Sequence, residues 1–269
     1  MARVLDQLSG FGAPPPTRAI DLGSGTGAVG RTLRARFGDA IEVVAVDRTG
    51  GPGVVRANLA AELPPVAGTF DLVVAAHLLN ELYVERAPPD RASLRAARVL
   101  AWARALLAPR GRLILIEPAL RETSRALLAV RDRVLAAGLH VVAPCFWTGP
   151  CPALTRERDW CHDAAPVPSR PRVDFSYLVL SAEPVAPASL YRIVSDPLPE
   201  KGRLRLFVCG PTGRHPLLRL GRHQSNANAP LDRVVRGDAV ALENGERADD
   251  ALRVTADTIV TPMAPPRRA

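Results

Sequence analysis

Residues 19–30, AIDLGSGTGAVG, decide the fold of this chain. An apolar run around Ile20 and Leu22 leads into a glycine-rich segment, and residues 28–37 follow with helical spacing of their apolar positions. Glycine allows tight turns and a close approach of the backbone to a ligand. The stretch therefore predicts a buried strand, a ligand-binding turn and a helix, which together begin a parallel α/β sheet.

Further apolar runs alternate with helical patterns up to residue 182. Strands are predicted at 41–47, 54–59, 70–77, 111–118, 139–144 and 174–182, and helices at 92–107 and 121–138. Strands that alternate with helices form a parallel sheet covered on both faces, and continuous apolar runs fit such burial. The sequence therefore predicts a seven-stranded α/β domain.

The glycine-rich segment fits two nucleotide-binding patterns. Residues 25–30 satisfy GxGxxG, the fingerprint of dinucleotide-binding proteins, which is a weak signal by itself. Residues 21–27 satisfy DxGxGxG, the loop of S-adenosylmethionine-dependent methyltransferases. Asp21 favours the second pattern, because a carboxylate suits a cationic amino group and a sulfonium better than a pyrophosphate. We therefore expect S-adenosylmethionine rather than a nicotinamide dinucleotide.

Residues at the ends of later strands complete the predicted cofactor site. Asp47 ends the second strand and is placed to accept hydrogen bonds from ribose hydroxyls. Asn58 follows the third strand, where an amide can meet the adenine edge, and His77 follows the fourth. The predicted cofactor-binding residues are Asp21, Gly23, Gly25, Gly27, Asp47, Asn58 and His77.

The sequence does not assign a catalytic residue. His77, Asn80 and Glu81 follow the fourth strand, and each side chain can act as an acid, a base or a substrate contact. Asn80 and Glu81 equally suit a structural role at the start of the helix predicted there. The chain has no NPPY or DPPY tetrad of the kind used for base-amino methylation.

The domain organisation follows from a change in pattern near residue 183. The run at 174–182 is predicted to lie antiparallel between the fifth and sixth strands, as in a class I methyltransferase-type Rossmann-like sheet. Residues 1–183 are assigned to this α/β domain, with a Cys-rich insertion at 144–165. Short strand-like pieces separated by turn residues then predict a small β-rich domain at 184–262 and a tail at 263–269.

The chain has four cysteines, Cys145, Cys151, Cys161 and Cys209, and three of them lie in one Pro-rich segment. Such a polar segment is unlike a core, so metal ligation is favoured over buried structural cysteines. Four thiolates suit an iron–sulfur cluster, and the lack of a C-x2-C pair speaks against a zinc ribbon, although zinc stays an alternative. Because Cys209 falls in the predicted β-rich domain, the site is expected to join the two domains.

The net charge of +8 comes almost entirely from arginine. A basic chain favours phosphate-bearing partners, although a genome rich in GC also inflates arginine. Candidate phosphate contacts in the β-rich domain are Arg192, Arg203, Arg205, Arg214, Arg219 and Arg222. The chain shows no signal peptide and no apolar run long enough to span a membrane, so we expect a cytoplasmic protein without a membrane partner.

Several strings resemble one known family. CFWTGPCP and DWCH around the cysteines, RVDFSYLVLS at 172–181, the strand that ends in Cys209, HQS, RVVRGD and HLLNEL occur in the order and spacing of that family. It is the mitochondrial small-ribosomal-subunit methyltransferase-like family, which contains methyltransferase-like protein 17 and its bacterial relatives. The resemblance runs from about residue 18 to about residue 240.

The resemblance implies a specific set of ligands and partners. It implies S-adenosylmethionine at Asp21, Gly23, Gly25, Gly27 and Asp47, and a [4Fe–4S] cluster on the four cysteines. It also implies a protein that binds small-subunit ribosomal RNA during ribosome assembly. We expect this protein to act in ribosome biogenesis and translation and to be a monomer when free. The alternative is an active methyltransferase for RNA or another substrate, with a structural zinc or iron–sulfur site.

Overall fold

The computed structural model describes residues 1–10, 15–167, 169–186 and 188–263. The chain divides into two compact units, one formed by Met1–Ala143 and Asp174–Val185 and the other by Pro144–Val173 and Ala186–Ala269. This division differs from the expected boundary at residue 183, because the Cys-rich segment 144–165 groups with the C-terminal residues. All four cysteines therefore lie within the second unit rather than being shared between two domains.

The first sheet contains β1 (Arg18–Leu22), β2 (Glu42–Asp47), β3 (Val54–Arg56), β4 (Phe70–Ala76), β5 (Leu107–Pro118), β6 (His140–Ala143), β7 (Asp163–Val167) and β8 (Arg170–Ser181). Its order is β3-β2-β1-β4-β5-β8-β6, and β7 pairs with β8 outside this path. The pairs among β1 to β5 are parallel, whereas β8 runs antiparallel to both β5 and β6. The predicted class I methyltransferase-type sheet, with its last strand antiparallel, is confirmed.

Four helices accompany this sheet: α1 (Ala2–Gly10), α2 (Ala28–Phe37), α3 (Pro88–Leu106) and α4 (Arg121–Ala136). α3 begins with proline, which suits the first helical position because no intrahelical N–H bond is needed there. The core of the unit contains fully buried Leu33, Val74 and Ile114. None of the described helices is long and apolar enough to span a membrane.

Two local predictions in this unit differ from the structure. β5 begins at Leu107 rather than at residue 111, directly after α3 ends. The segment predicted as a helix after β4 forms only a short 3-10 turn at Leu79–Glu81. Its backbone is held by the side chains of Glu117 and Arg95.

The second unit is built mainly of strands, as predicted. It contains β9 (Leu190–Ile193), β10 (Leu198–Glu200), β11 (Arg203–Gly210), β12 (Gly213–Leu220), β13 (Ala239–Glu243), β14 (Glu246–Ala248), β15 (Ala251–Val254) and β16 (Ile259–Met263). The order is β14-β15-β12-β11-β9-β13-β16, and β10 pairs with β11. Ile193, Val208 and Val240 are fully buried in its core. β7, β10, β14 and β16 were not predicted. Residues 264–269 of the predicted tail lie outside the described residues.

Candidate functional site

A cavity of about 890 Å³ lies in the first unit at the carboxyl ends of its parallel strands. Ligands of open α/β sheets bind in this position. Five of the predicted cofactor-binding residues line the cavity: Gly23, Gly25, Asp47, Asn58 and His77. Asp21 and Gly27 are not among its lining residues. Gly27 lies at the N-terminal end of α2, and Asp21 lies buried in β1.

The turn after β1 is held by the end of β2. The backbone N–H groups of Gly23 and Ser24 each donate to the Val46 carbonyl at 2.9 Å. Gly25 has a φ of +47°, and a Cβ added there would meet no atom within 4 Å. The glycine therefore leaves the cavity open at this point, where a side chain would occupy part of the space.

Asp47 connects this turn to the next loop. Its carboxylate accepts hydrogen bonds from the Gly25 N–H at 3.0 Å and from the N–H and hydroxyl of Thr49 at 3.1 and 2.9 Å. These bonds, those from the Thr49 and Gly25 backbone above all, lower the pKa of Asp47. An ionised carboxylate therefore lies at the end of β2, where it can accept from hydroxyl groups of a ligand.

Asp21 is a buried carboxylate next to the glycine turn, and its side chain is only 1% exposed. Neither oxygen has a hydrogen-bond partner of normal geometry, although the Gly30 backbone lies near enough to favour the ionised form. Burial raises the pKa of Asp21 to about 6. A cation bound nearby would stabilise the ionised form of this group.

The loop after β4 forms another part of the cavity wall. His77, which lines the cavity, has a φ of +59°, and its backbone N–H donates to the Ile116 carbonyl at 2.7 Å. A non-glycine residue in this region is strained and persists only where the surroundings enforce it. The hydrogen bond to β5 is one such constraint, and it fixes the start of the loop.

Two buried charged residues hold the rest of that loop. Glu117, at the end of β5, accepts the Leu79 N–H at 2.8 Å through Oε1. Arg95, in α3, donates to the carbonyls of Asn80 at 2.7 Å and Leu82 at 3.1 Å. Burial raises the pKa of Glu117 to about 7. Neither residue was predicted to take part. Glu117 is the penultimate residue of an apolar strand, as Asp21 is in β1. A lone carboxylate in this position is the sequence signal that could have identified Glu117.

A tyrosine joins two further segments of the cavity wall. Tyr83 has a φ of +58°, and its hydroxyl donates to the Ala60 carbonyl at 2.5 Å. Arg98 donates to the same carbonyl at 2.7 Å. Tyr83 and Ala60 both line the cavity. The segments after β3 and after the 3-10 turn are therefore tied together, a feature that no local sequence pattern indicated.

The cysteines of the second unit are brought together by pairing in its sheet. Cys209, on β11, lies opposite Arg192 on β9 and opposite Arg214 on β12. Arg192 donates to the Cys161 sulfur at 3.3 Å, and Arg214 forms an ion pair with Asp159 at 3.2 Å. Directly opposed residues have side chains on the same face of a sheet. Both arginines therefore link the face that carries Cys209 to the segment that carries Cys161.

The Cys209 thiol lies within electrostatic reach of the other three cysteines. Burial raises the pKa of the Cys209 thiol, and the negative charges of Cys145, Cys161 and Cys151 raise it further. Across the described ranges, however, no group of three or more His, Cys, Asp or Glu side chains is arranged to hold a metal ion. The four predicted metal ligands thus occupy one region, without the geometry of a closed single-ion site.

Two of the predicted phosphate contacts are wrong. Arg192 and Arg219 are only 4% and 5% exposed, and they form ion pairs with Asp163 and Asp232. Their guanidinium groups support the fold of the second unit and are not available to a polynucleotide. Arg203 and Arg222 are exposed, as the prediction requires.

Solved structures similar to this chain include methyltransferases of low sequence identity. A TehB-like S-adenosylmethionine-dependent methyltransferase from Corynebacterium glutamicum is 18% identical, with 66% of this chain and 86% of that chain covered and a TM-score of 0.39. The N-methyltransferase NodS from Bradyrhizobium japonicum is 13% identical, with 65% and 84% covered and a TM-score of 0.40. The plantazolicin methyltransferase BamL is 11% identical, with 67% and 82% covered and a TM-score of 0.43. These similarities are too weak to assign an activity or a ligand.

Comparison with curated proteins found no match. A sequence model of one protein family, in contrast, matches residues 13–220, which is more than half of the chain. The match includes the glycine turn, the loop after β4 and all four cysteines. The chain therefore belongs to the family described as mitochondrial small ribosomal subunit Rsm22.

Proposed function

We propose that this protein binds S-adenosylmethionine in the first unit, holds a metal centre at its four cysteines, and acts on the small ribosomal subunit through ribosomal RNA. The observation that carries the proposal is the family match over residues 13–220, which spans both sites. We further propose that the protein works in the cytoplasm, where cysteine thiols stay reduced and available to a metal.

The cavity of the first unit fits S-adenosylmethionine in three respects. Gly25 leaves space beside the turn, and Asp47 offers an ionised acceptor for ribose hydroxyls. Asp21, next to the turn but outside the cavity lining, is a buried carboxylate without a hydrogen-bond partner of normal geometry. A cationic ligand would favour the ionised state of Asp21, which burial alone disfavours. When bound, the cofactor would supply an activated methyl group. The protein's own part is to bind it and to hold the loop of His77 beside it.

The cysteine region supplies the donor set of an iron–sulfur cluster. All four cysteines lie in one compact unit, and the Cys209 thiol lies within electrostatic reach of the other three. Four cysteine thiolates are the usual ligands of a [4Fe–4S] cluster. We therefore propose Cys145, Cys151, Cys161 and Cys209 as the ligands of a [4Fe–4S] cluster, and zinc as the alternative to be tested.

Binding to ribosomal RNA is the third part of the proposal. The relative named in the family description is a protein of the mitochondrial small ribosomal subunit. The net charge of +8 and the exposed Arg203 and Arg222 support phosphate contacts in this chain. We propose small-subunit rRNA as the partner, bound by a monomer.

The test uses full-length protein purified without oxygen. Binding to small-subunit RNA fragments is measured across a salt series, with a large-subunit fragment of equal length as control, and labelled S-adenosylmethionine is present throughout. We expect retained cofactor, a preference for small-subunit RNA, and an affinity that falls linearly with salt on logarithmic axes. Binding that does not respond to salt, or equal binding to both RNAs, would contradict the proposal. Transfer of label to the RNA would identify an active methyltransferase.

A further inference from the structure

Arg192 occupies an unusual position for an arginine. It lies on β9, its side chain is 4% exposed, and its guanidinium reaches two partners in the Cys-rich segment. One is the sulfur of Cys161 at 3.3 Å, and the other is the Asp163 carboxylate at 3.4 Å. One guanidinium thus joins a predicted metal ligand to a carboxylate two residues away.

Asp163 is itself fixed in place. It is 0% exposed, and its Oδ1 accepts the backbone N–H of Ala164 at 2.8 Å. It lies against Gly237, where an added Cβ would overlap the carboxylate. Gly237 in turn donates its N–H to the Ile193 carbonyl at 2.9 Å, on the residue next to Arg192. The carboxylate, the guanidinium and the sulfur therefore form one buried array with little freedom to rearrange.

A contribution of the Arg192–Asp163 ion pair to the stability of the fold does not by itself explain this array. The desolvation cost of two buried charges often exceeds their attraction, and apolar residues of similar size frequently serve as well. Neutral thiols would gain little from a buried guanidinium, because a thiol is only a weak hydrogen-bond acceptor. A metal-bound thiolate carries negative charge, and a charged donor stabilises it. Hydrogen bonds to the ligand sulfurs also set the reduction potential of a cluster.

We propose that Arg192 is a positioning residue for the metal centre. Its guanidinium stabilises the thiolate of Cys161, and the Asp163 carboxylate holds the guanidinium in place. This inference rests on the proposed metal site and goes beyond its four ligands. It does not depend on whether the metal is iron or zinc, since both bind thiolates. Partners of this kind typically change metal affinity by about 10–100-fold when they are removed.

The test compares two double variants, R192M/D163N and R219M/D232N, and the single variant R192K, each as full-length protein purified without oxygen. R192M/D163N removes the ion pair without leaving an unpaired buried charge, whereas R192K keeps the positive charge. R219M/D232N is the matched control, because it removes another ion pair of a buried arginine in the same unit, one whose guanidinium donates to Asn228 and Asp232. The rate of metal release to an excess of chelator is measured for each protein, together with its unfolding midpoint.

We expect R192M/D163N to lose metal about 10–100-fold faster than the wild type, R192K to recover part of this loss, and R219M/D232N to release metal at the wild-type rate. In an iron-loaded protein, D163N alone should raise the midpoint potential and R192M should lower it, because the two changes remove opposite charges. Wild-type release rates in R192M/D163N, or equal losses in R192M/D163N and R219M/D232N, would overturn the inference alone. Wild-type protein that never holds metal would overturn both this inference and the proposed metal site.

Discussion

Gly25 in the first unit and Gly237 in the second both have positive φ, +47° and +90°, but the space beside them is used in opposite ways. A Cβ at Gly25 would meet no atom within 4 Å, on the wall of a cavity. A Cβ at Gly237 would overlap the carboxylate of Asp163. The first glycine leaves room for a ligand, and the second leaves room for another side chain of the same protein.

The surroundings of the two glycines differ in the same way. The turn at Gly25 is held by backbone groups and by Asp47, which belongs to the neighbouring strand. The array at Gly237 is held by side chains from distant parts of the sequence, since Asp163 and Arg192 come from separate segments. The turn at Gly25, held largely by backbone groups, leaves an open cavity, whereas the side chains around Gly237 fill the space beside it.

Alanine at each glycine tests this contrast most directly. G237A should lower the free energy of unfolding by about 3 kcal/mol, because it adds the strain of positive φ to an overlap with Asp163. G25A adds only the strain of positive φ and should cost about 1 kcal/mol. It should also weaken S-adenosylmethionine binding, because its methyl group enters the cavity. Urea unfolding and equilibrium dialysis measure the two effects. Equal destabilisation by both variants would contradict the difference in space between Gly25 and Gly237.

The pH dependence of stability tests the buried carboxylate under the cavity loop. Burial raises the pKa of Glu117 from 4.5 to about 7, so the native state binds its proton more tightly than the unfolded state does. Its contribution to stability is therefore present below pH 4.5 and is lost as the pH rises to about 7. A difference of about 2.5 in pKa corresponds to a loss of up to ~3 kcal/mol.

Replacement of the carboxylate by an amide should remove this loss. E117Q keeps an oxygen for the Leu79 N–H, so it should match the wild type at pH 5 and exceed it at pH 8 in urea unfolding. E62Q is the control, because Glu62 also accepts a backbone N–H but is exposed. If E117Q and E62Q follow the same pH profile, then Glu117 is not the source of the dependence.

A smaller effect is expected for cofactor affinity. Burial raises the pKa of Asp21 to about 6, and a cationic ligand prefers the ionised carboxylate. The affinity for S-adenosylmethionine should therefore fall about tenfold per pH unit below pH ~6 and stay level above it. Equilibrium dialysis between pH 5 and 8 measures this. D21N should bind weakly without this dependence, whereas D47N should bind weakly and retain it. An affinity that is level from pH 5 to 8 would contradict the role of Asp21.

The sequence predicted most of the first unit because its signals are local. The run that ends near Asp21, the glycines after it and Asp47 follow one another within a single βαβ segment, so the turn and its ligand-facing residues can be identified together. The bounds of β5 were missed, since no turn residue separates Leu106 from Leu107. Arg95 was missed as well, because nothing in a helical pattern reveals that a side chain reaches the loop after β4.

The second unit was harder to predict because its structure depends on pairing between distant strands. The strand that ends in Cys209 could be identified, but its position opposite Arg192 follows from the pairing of β9 and β11. The prediction that Arg192 and Arg219 contact phosphate is wrong because the sequence of a strand does not show which of its arginines is buried by distant segments. The grouping of segment 144–165 with the C-terminal strands was also not predicted, because it depends on tertiary contacts that the sequence pattern does not show.

Leu106 ends α3 and Leu107 begins β5, so no connecting loop separates the helix of Arg95 from the strand of Glu117. Both residues that hold the loop after β4 therefore lie on one continuous piece of chain. A circular permutation or an insertion at this junction would separate them, whereas exchange of residues 88–118 between homologues would transfer them together. Residues 88–118 therefore carry both side chains that support the cavity loop.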